Sequence, residues 1–257
     1  MKVFISVVSH GHSDLIKELA CLKSLAQSFN VVVKENSLDD SLREYCEENN
    51  IVFIENNKGL GFGANNNQVF EYCKTHLNMV SNDCFIVLNP DVKITCESID
   101  KVIEKLLSGS AKLLGINLFK DENLSEYDNS VRKFPNLLIL FRSFLGMGND
   151  SIINKSLILT DEKVDWFAGS FMAFVVSHYE NLNGFDERYH MYCEDVDICY
   201  RSKKIGVEAQ YTPDIKAIHY AQHNNKKIFS KHFYWHVKSA FIFEFQKIKY
   251  CLSIIKE

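Results

Sequence analysis

At 257 residues the chain is too long for a minidomain and short for two full-sized domains, so one large α/β domain, or one with a small appendage, is expected. Apolar residues at 46% and charged residues at 24% exclude long disorder, and three Pro with eleven Gly exclude a fibrous or low-complexity chain. A net charge of -4 gives no global electrostatic reason to expect nucleic acid.

Eight cysteines without a C-x-x-C pair have the spacing of neither a zinc ribbon nor a disulfide framework, which points to a reducing compartment. The apolar run behind Lys2 is too short for a signal-peptide core, and no run of 18 apolar residues could span a bilayer. The cytoplasm is the expected address.

Residues 3–8 are β-branched and almost wholly apolar, the pattern of a strand buried on both faces. Ser13-Asp14 offers an N-cap to a helix through Leu15, Ile16, Leu19, Leu22 and Leu25. The pattern then predicts a strand over 30–34, a helix over 39–46, a strand over 51–54 and a helix over 65–76. A strand over 84–88 ends at Asn89-Pro90-Asp91, and a helix over 97–107 leads to a strand over 112–119. Repeated β-α units imply a mostly parallel sheet with helices on both faces, and ligands bind at the carboxyl ends of such strands.

Residues 120–163 carry few signals and read as a long excursion over the sheet. Residues 164–176 are strand-like, 194–205 form an amphipathic helix, and 207–211 and 215–220 read as two short strands. From Lys226 onward seven Lys face two Glu, a formal +5, interleaved with Phe, Tyr and Trp. The organisation expected is a domain over 1–225 and a basic, aromatic, helical segment over 226–257.

The glycines of Asn57-Lys58-Gly59-Leu60-Gly61-Phe62-Gly63 suggest a phosphate cradle. The loop lacks G-K-[ST], follows the third strand and has Ala64 where a dinucleotide fingerprint has glycine, so a tight strand-to-helix turn is the alternative. Asp91, just past a buried strand, sits where a carboxylate can hold a divalent cation, although Asn-Pro-Asp is also an ordinary turn. Glu194, Asp195 and Asp197 open a helix; acids there complement the helix dipole, and one of them could be a general base. His219 and His223 lack the glutamate of H-E-x-x-H, so a zincin is excluded, while one His could complete an oxygen-rich metal site. For His10, His12, His76, His178 and His190 a surface or packed imidazole is expected.

Taken in order, these motifs run along nearly the whole chain: 6–12, Glu35-Asn36-Ser37, 57–65, 88–91, Asp165-Trp166-Phe167-Ala168-Gly169-Ser170, Gly184-Phe185-Asp186-Glu187, 191–201 and Ile218-His219. The series resembles the inverting, family 2 nucleotide-sugar glycosyltransferases of the GT-A fold. Ser9-His10-Gly11-His12, 131–135 and 219–223, with 229–239, are similar to a narrower group of bacterial rhamnosyltransferases that act on N-acetylglucosaminyl-diphospho-undecaprenol.

The resemblance implies an α/β GT-A fold, a dTDP-rhamnose donor and Mg²⁺ or Mn²⁺ on Asp91 and His219. It makes Asp195 the general base, next to Glu194, and places Glu35 where the family's nucleobase-contacting acid, usually Asp, stands. Ser9, Asn36, Asn57, Gly61, Asn65 and Asn89 fall on the nucleotide-sugar side, and Asp165, Trp166 and Gly169 on the acceptor side. Asn89 replaces the first acid of the family's D-x-D, leaving a less charged site. A lipid-linked acceptor and an anionic membrane surface met through 226–257 are the expected partners, on the inner face of the plasma membrane. Helix packing of that segment on the domain is the alternative. A non-catalytic nucleotide-binding module would have no need of the Glu194-Asp195 pair, and a nucleotidyltransferase would carry a basic Gly-rich loop after the first strand.

Overall fold

The computed structural model describes residues 1–55, 59–136, 139, 142, 150–221 and 231–254. The first half alternates as its periodicity predicts: β1 (Val3–Ser9), β2 (Asn30–Glu35), α3 (Asp40–Glu48) and β3 (Val52–Glu55), then α4 (Phe62–His76), β4 (Cys84–Leu88), β5 (Val92–Lys93), α5 (Cys96–Leu107) and β6 (Leu113–Phe119). The helix expected after β1 is broken into α1 (Ser13–Leu19) and α2 (Cys21–Leu25) by Ala20, which adopts a left-handed φ of 51°. Its N-cap is His12 rather than Ser13, with no side-chain cap bond. By contrast, Asp39 caps α3 through the Leu42 N–H and Thr95 caps α5 through the Ser98 N–H, each satisfying a donor the helix leaves open.

The excursion after β6 contributes β7 (Val131–Arg132) and a short 3-10 turn, Lys155–Leu157. The single strand expected over 164–176 is split into β8 (Glu162–Val164), β9 (Trp166–Phe167) and β10 (Phe171–Val175), because the chain turns at Gly169-Ser170 and enters α6 (Val176–Asn181) at Val176. After α7 (Glu194–Lys204), the two strands expected over 207–211 and 215–220 are one, β11 (Ala209–His219), whose register slips between Thr212 and Lys216 around Pro213. The last described element is α8 (Lys231–Ile254).

Among the described residues nine strands form one sheet, in the order β3-β2-β1-β4-β10-β6-β11-β5 with β8 also paired to β11. β1 to β4 run parallel, β10 is antiparallel to both β4 and β6, and β11 returns parallel to β6. β7 and β9 form a separate two-stranded ribbon.

Both faces of the sheet are covered, as its unbroken apolar strands require. On one face Val3, Ile5, Val7, Ile86 and Leu88 pack with Ile16, Leu22, Leu25, Leu42, Ile99, Val102 and Leu106 from α1, α2, α3 and α5. On the other, Phe4, Phe85, Val87, Met172 and Phe174 meet Val69 and Phe70 of α4, Tyr179 of α6 and Val196 and Cys199 of α7. Phe243 of α8 joins this second core, so the C-terminal segment does pack on the domain. Cys21, Cys46, Cys73, Cys84, Cys96, Cys193 and Cys199 are free thiols.

His178 is the packed imidazole expected from its sequence setting. It lies 1% exposed between α6 and α7, with Nε2 2.8 Å from Ser202 Oγ, and burial pulls its pKa down to about 4. A folded pKa below the unfolded value of about 6.5 contributes stability that is full above 6.5 and lost as pH falls toward 4. Urea unfolding should therefore show a fall of roughly 2–3 kcal/mol between pH 7.5 and pH 4.5 that His178→Gln lacks; equal falls in the two proteins would contradict it.

Candidate active site

The site forms at the carboxyl edge of the sheet from two halves. On the first, β1 and β2 pair with Ser9 beside Glu35, both fully buried. Glu35 Oε1 accepts from the Ser37 N–H at 2.8 Å, the Ser37 hydroxyl at 2.6 Å and the Gly11 N–H at 3.3 Å. Its Oε2 is buried with no partner, so one acceptor is left for a ligand N–H. The longer side chain thus binds its own loop with one oxygen and keeps the other open.

Asn36 and Asn65 converge on the Leu60 carbonyl through their Nδ2 atoms, at 3.5 and 3.0 Å, and Asn65 also donates to the Gly61 carbonyl at 3.0 Å. Gly61 presses against the loop before α7: a Cβ there would sit 2.0 Å from the His190 carbonyl, which accepts the Phe62 N–H at 3.1 Å. α4 starts at Phe62, three residues before the expected Asn65, so Gly61 is its N-cap and Gly63 lies in its first turn. Asn57 lies outside the described residues, as does His223. His12 belongs here too: burial lowers its pKa, opposed by the charges of Asp91 and Glu35 on either side.

Asp91 is placed by strand pairing. The Asn89 N–H donates to the Ser170 carbonyl at 3.0 Å and the Val92 N–H to the Asn89 carbonyl at 3.1 Å, closing the turn that carries Asp91. β5 then pairs antiparallel with β11, His219 opposite Val92. His219 Nε2 comes 3.4 Å from Asp91 Oδ1, while Nδ1 lies 3.3 Å from Asp128 Oδ2. Burial would lower the His219 pKa, but hydrogen bonds and charge from Asp128 and Asp91 outweigh it and raise it to about 9. Asp128 is held below the usual carboxylate range by His219 and Lys155 against the effect of burial.

A cation fits this donor set. Asp91 and His219 offer hard oxygen and imidazole nitrogen side by side, and Asp128 on the far ring nitrogen is the orienting partner that metal-bound histidines usually have. Among the described residues no group of three or more His, Cys, Asp or Glu is arranged to hold a metal alone. With Asn89 neutral, the remaining ligands would have to come from phosphate oxygens and water.

The second half is the start of α7, where three acids have three roles. Tyr192 and Cys193 both take left-handed φ values, 70° and 65°, a strained entry of the kind that clusters at functional sites. Asp197 is buried against Arg201 at 2.6 Å, and Arg201 ties back to the Leu182 and Gly184 carbonyls, a structural clamp. Asp195 is held by two main-chain donors: the Val196 N–H at 2.9 Å on Oδ1 and the Gly169 N–H at 3.1 Å on Oδ2. Gly169 lets the Phe62 ring lie close: a Cβ there would stand 3.0 Å from that ring, which would have to shift by a few tenths of an ångström, and in ordinary contact, 3.8 Å, with Asp195 Cβ. Glu194 is buried, with Oε2 unpartnered. Burial raises the pKa of both acids, and Asp195 raises that of Glu194 further, whereas the Gly169 and Val196 N–H groups and Arg132 oppose the rise at Asp195.

Arg132, which carried no role in the sequence reading, feels the charges of both Asp195 and Asp128 and stacks over Trp166 at 5.4 Å. Asp165 and Trp166 are engaged in holding its strand: Asp165 accepts the Phe134 N–H at 3.0 Å and pairs with Lys203 at 2.9 Å, and Trp166 Nε1 donates to the Lys133 carbonyl at 2.9 Å. Asp128 lies in the excursion where no local signal marks it, and Arg132 falls in the 131–135 phrase, which carried a resemblance but no role.

Asn67 is the other residue missed. Its Oδ1 accepts from Tyr179 OH at 2.6 Å and the Phe185 N–H at 2.9 Å, and its Nδ2 donates to the Phe185 carbonyl at 2.9 Å and to Glu187 at 3.0 Å. It fastens α4 to the segment leading into the strained turn. Asn67→Ala leaves buried donors unpaired, and should cost about 2–4 kcal/mol in urea unfolding and lower turnover with it. An unchanged unfolding midpoint would show that the staple is dispensable.

The sequence profile described as the N-terminal domain of galactosyltransferase matches residues 160–226, which contain Gly169, the Glu194-Asp195 pair and His219. A rhamnosyltransferase of Escherichia coli, WbbL, is 39% identical over 240 residues, covering 93% of this chain and 91% of its own. An N-acetylglucosaminyl-diphospho-decaprenol L-rhamnosyltransferase of Mycobacterium tuberculosis is 32% identical over 63% of this chain and 55% of its own. The crystal structure of Staphylococcus aureus TarS, residues 1–349, superposes with a TM-score of 0.54 at 15% identity, over 85% of this chain and 60% of that one, a likeness of fold.

Proposed function

The chain belongs to the family 2 glycosyltransferases and is a hexosyltransferase, and from that premise we propose that it moves L-rhamnose from dTDP-β-L-rhamnose to a GlcNAc-diphospho-undecaprenol acceptor with inversion. Such a step belongs to O-antigen or related polysaccharide assembly, on the inner face of a bacterial plasma membrane. The observation that carries the reading is Asp195, fixed by the Gly169 and Val196 N–H groups at the same turn whose Ser170 carbonyl holds the Asn89 end of the Asp91 turn, with His219 beside Asp91. The names of the two rhamnosyltransferase relatives support the sugar, and that of the mycobacterial one supports a polyprenyl-diphosphate acceptor.

The reaction is a single in-line displacement. Asp195 takes the proton of an acceptor hydroxyl as its oxygen attacks the anomeric carbon, and the bond from that carbon to the diphosphate oxygen breaks. The nucleoside diphosphate leaves with the electron pair, and the configuration inverts. A raised carboxyl pKa suits a base working near neutrality. Glu35 Oε2 is the acceptor available to a pyrimidine N–H. Asp91 and His219 would hold Mg²⁺ or Mn²⁺, which supplies charge neutralisation to the departing diphosphate.

The test is incubation with Mg²⁺ or Mn²⁺, dTDP-rhamnose and a synthetic GlcNAc-diphospho-lipid, read by product mass. One added deoxyhexose is expected; a different hexose from a panel of UDP- and GDP-sugars would replace the donor, and silence throughout would sink the reading. Asp195→Asn should lower kcat by about 10²–10⁴-fold, the usual contribution of a positioned base, with donor affinity nearly unchanged by calorimetry. Near-normal turnover would remove Asp195 from the role. Excess EDTA should abolish transfer and added Mn²⁺ should restore it; full activity in EDTA would mean that the His219–Asp91 pair serves without a cation.

A further inference from the structure

α8 is 24 residues long, about 36 Å at 1.5 Å per residue. Its inward face is set by Ser239, Ala240 and Phe243, all buried. The Phe243 ring meets Tyr200 edge-on at 5.7 Å, and the Ser239 hydroxyl donates to the Met191 carbonyl at 2.9 Å. A helix attached in this way would ordinarily turn charge and amide to water on its other side.

It does not. Tyr234, Phe241, Phe245 and Ile248 are 64, 52, 69 and 55% exposed. At about 100° per residue the four fall within an arc of about 60°. The exposed Lys238 and Lys249 extend that arc along one side to about 100°, with no acid inside it. Large apolar side chains in one line are not the scattered singles of an ordinary surface. Aromatic and aliphatic residues flanked by lysines on one side, with the acid beyond the other side, Glu244, already paired with Lys247 at 3.0 Å, match the headgroup layer of an anionic bilayer. No helix among the described residues is long and apolar enough to cross a membrane, so such contact lies in the plane of the interface.

We infer that this outward stripe of α8, Tyr234, Phe241, Phe245 and Ile248 with Lys238 and Lys249, is the surface by which the protein docks on an anionic lipid bilayer. The inference deepens the transfer reading and takes from it only the choice of a lipid surface, where a polyprenyl-linked acceptor resides. The opposite side of α8 rests on the segment leading to the candidate base. The Trp235 ring is 4.5 Å from His190, and that of His236 is 5.2 Å from Tyr192. Docking by the stripe therefore brings the 190–195 segment within about one helix diameter of the headgroups.

Flotation of the full chain with vesicles of phosphatidylglycerol and phosphatidylcholine, against phosphatidylcholine alone, is the test. The wild-type chain should float with the anionic vesicles and be partly released by high salt. The double variant Phe241→Ser with Phe245→Ser should bind about tenfold more weakly or worse, and Lys238→Glu with Lys249→Glu should lose the preference for the anionic lipid. Far-UV circular dichroism and transfer to a short-chain, water-soluble acceptor analogue should be unchanged in both, because all four residues are exposed on α8 and none belongs to the candidate site. A wild-type chain that does not float, or variants that float equally, would overturn the docking surface. So would light scattering that shows a wild-type dimer reduced to a monomer by the serine variant, which would assign the stripe to a second copy. If the wild type floats and loses this with the variants but transfers to no acceptor, the docking surface holds and the transfer reading alone falls.

Discussion

The site depends on two main-chain groups of one turn. The Gly169 N–H holds the Asp195 carboxylate at 3.1 Å, and the next carbonyl, that of Ser170, accepts the Asn89 N–H at 3.0 Å. One peptide turn therefore fixes the Asp195-bearing half to the Asp91-bearing half. It can do so because β10 runs against β4 and β6. An antiparallel strand begins where its parallel neighbours end, so the turn that opens β10 is delivered to the carboxyl edge, where ligands of open α/β sheets bind. Glycine at the first position lets the Phe62 ring close on the backbone.

Around that turn, carboxylates and cations alternate through Asp91, His219, Asp128, Arg132 and Asp195, and Glu194 lies next to Asp195 with no cation between them. Buried like charges are costly unless opposite charges or hydrogen bonds intervene, and His219 and Arg132 intervene between the acids. Glu194 and Asp195 cannot both ionise cheaply. Glu194, deeper and with an unpartnered oxygen, is where a proton is best held. Asp195, with two N–H donors and Arg132 nearby, is where the negative charge is best held. The division gives one adjacent pair a protonated member and an ionised one, as acid–base chemistry needs.

Legibility in the sequence followed locality. Strand ends were readable from apolar runs and their turns, and so Ser9, Glu35, Asp91 and His219 were placed at the correct edge of the sheet. Asp128 was not, because its partner His219 lies 91 positions away and nothing periodic surrounds it. Arg132 acquires its setting from the β7–β9 ribbon, two residues per strand, too short to show alternation. Asn67 resembled any polar residue on a helix until Tyr179 and Phe185 closed over it. Pro213 made one long strand look like two, and the left-handed Ala20 broke a helix whose leucines keep their spacing through it.

The C-terminal segment shows why helix packing and surface binding are not alternatives. A helix has about 360° of surface, and a core contact through Ser239, Ala240 and Phe243 uses roughly a third of it. Apolar side chains on both the inner and the outer face cancel in any single-face measure of amphipathicity, so their combined pattern reads as merely aromatic. Once Phe243 and Tyr250 are fixed on Tyr200, the direction of every other side chain on α8 is fixed with them. The core contact is thus what makes the outer stripe rigid, and a rigid stripe loses less conformational freedom on meeting a second surface than a helix that must first fold there.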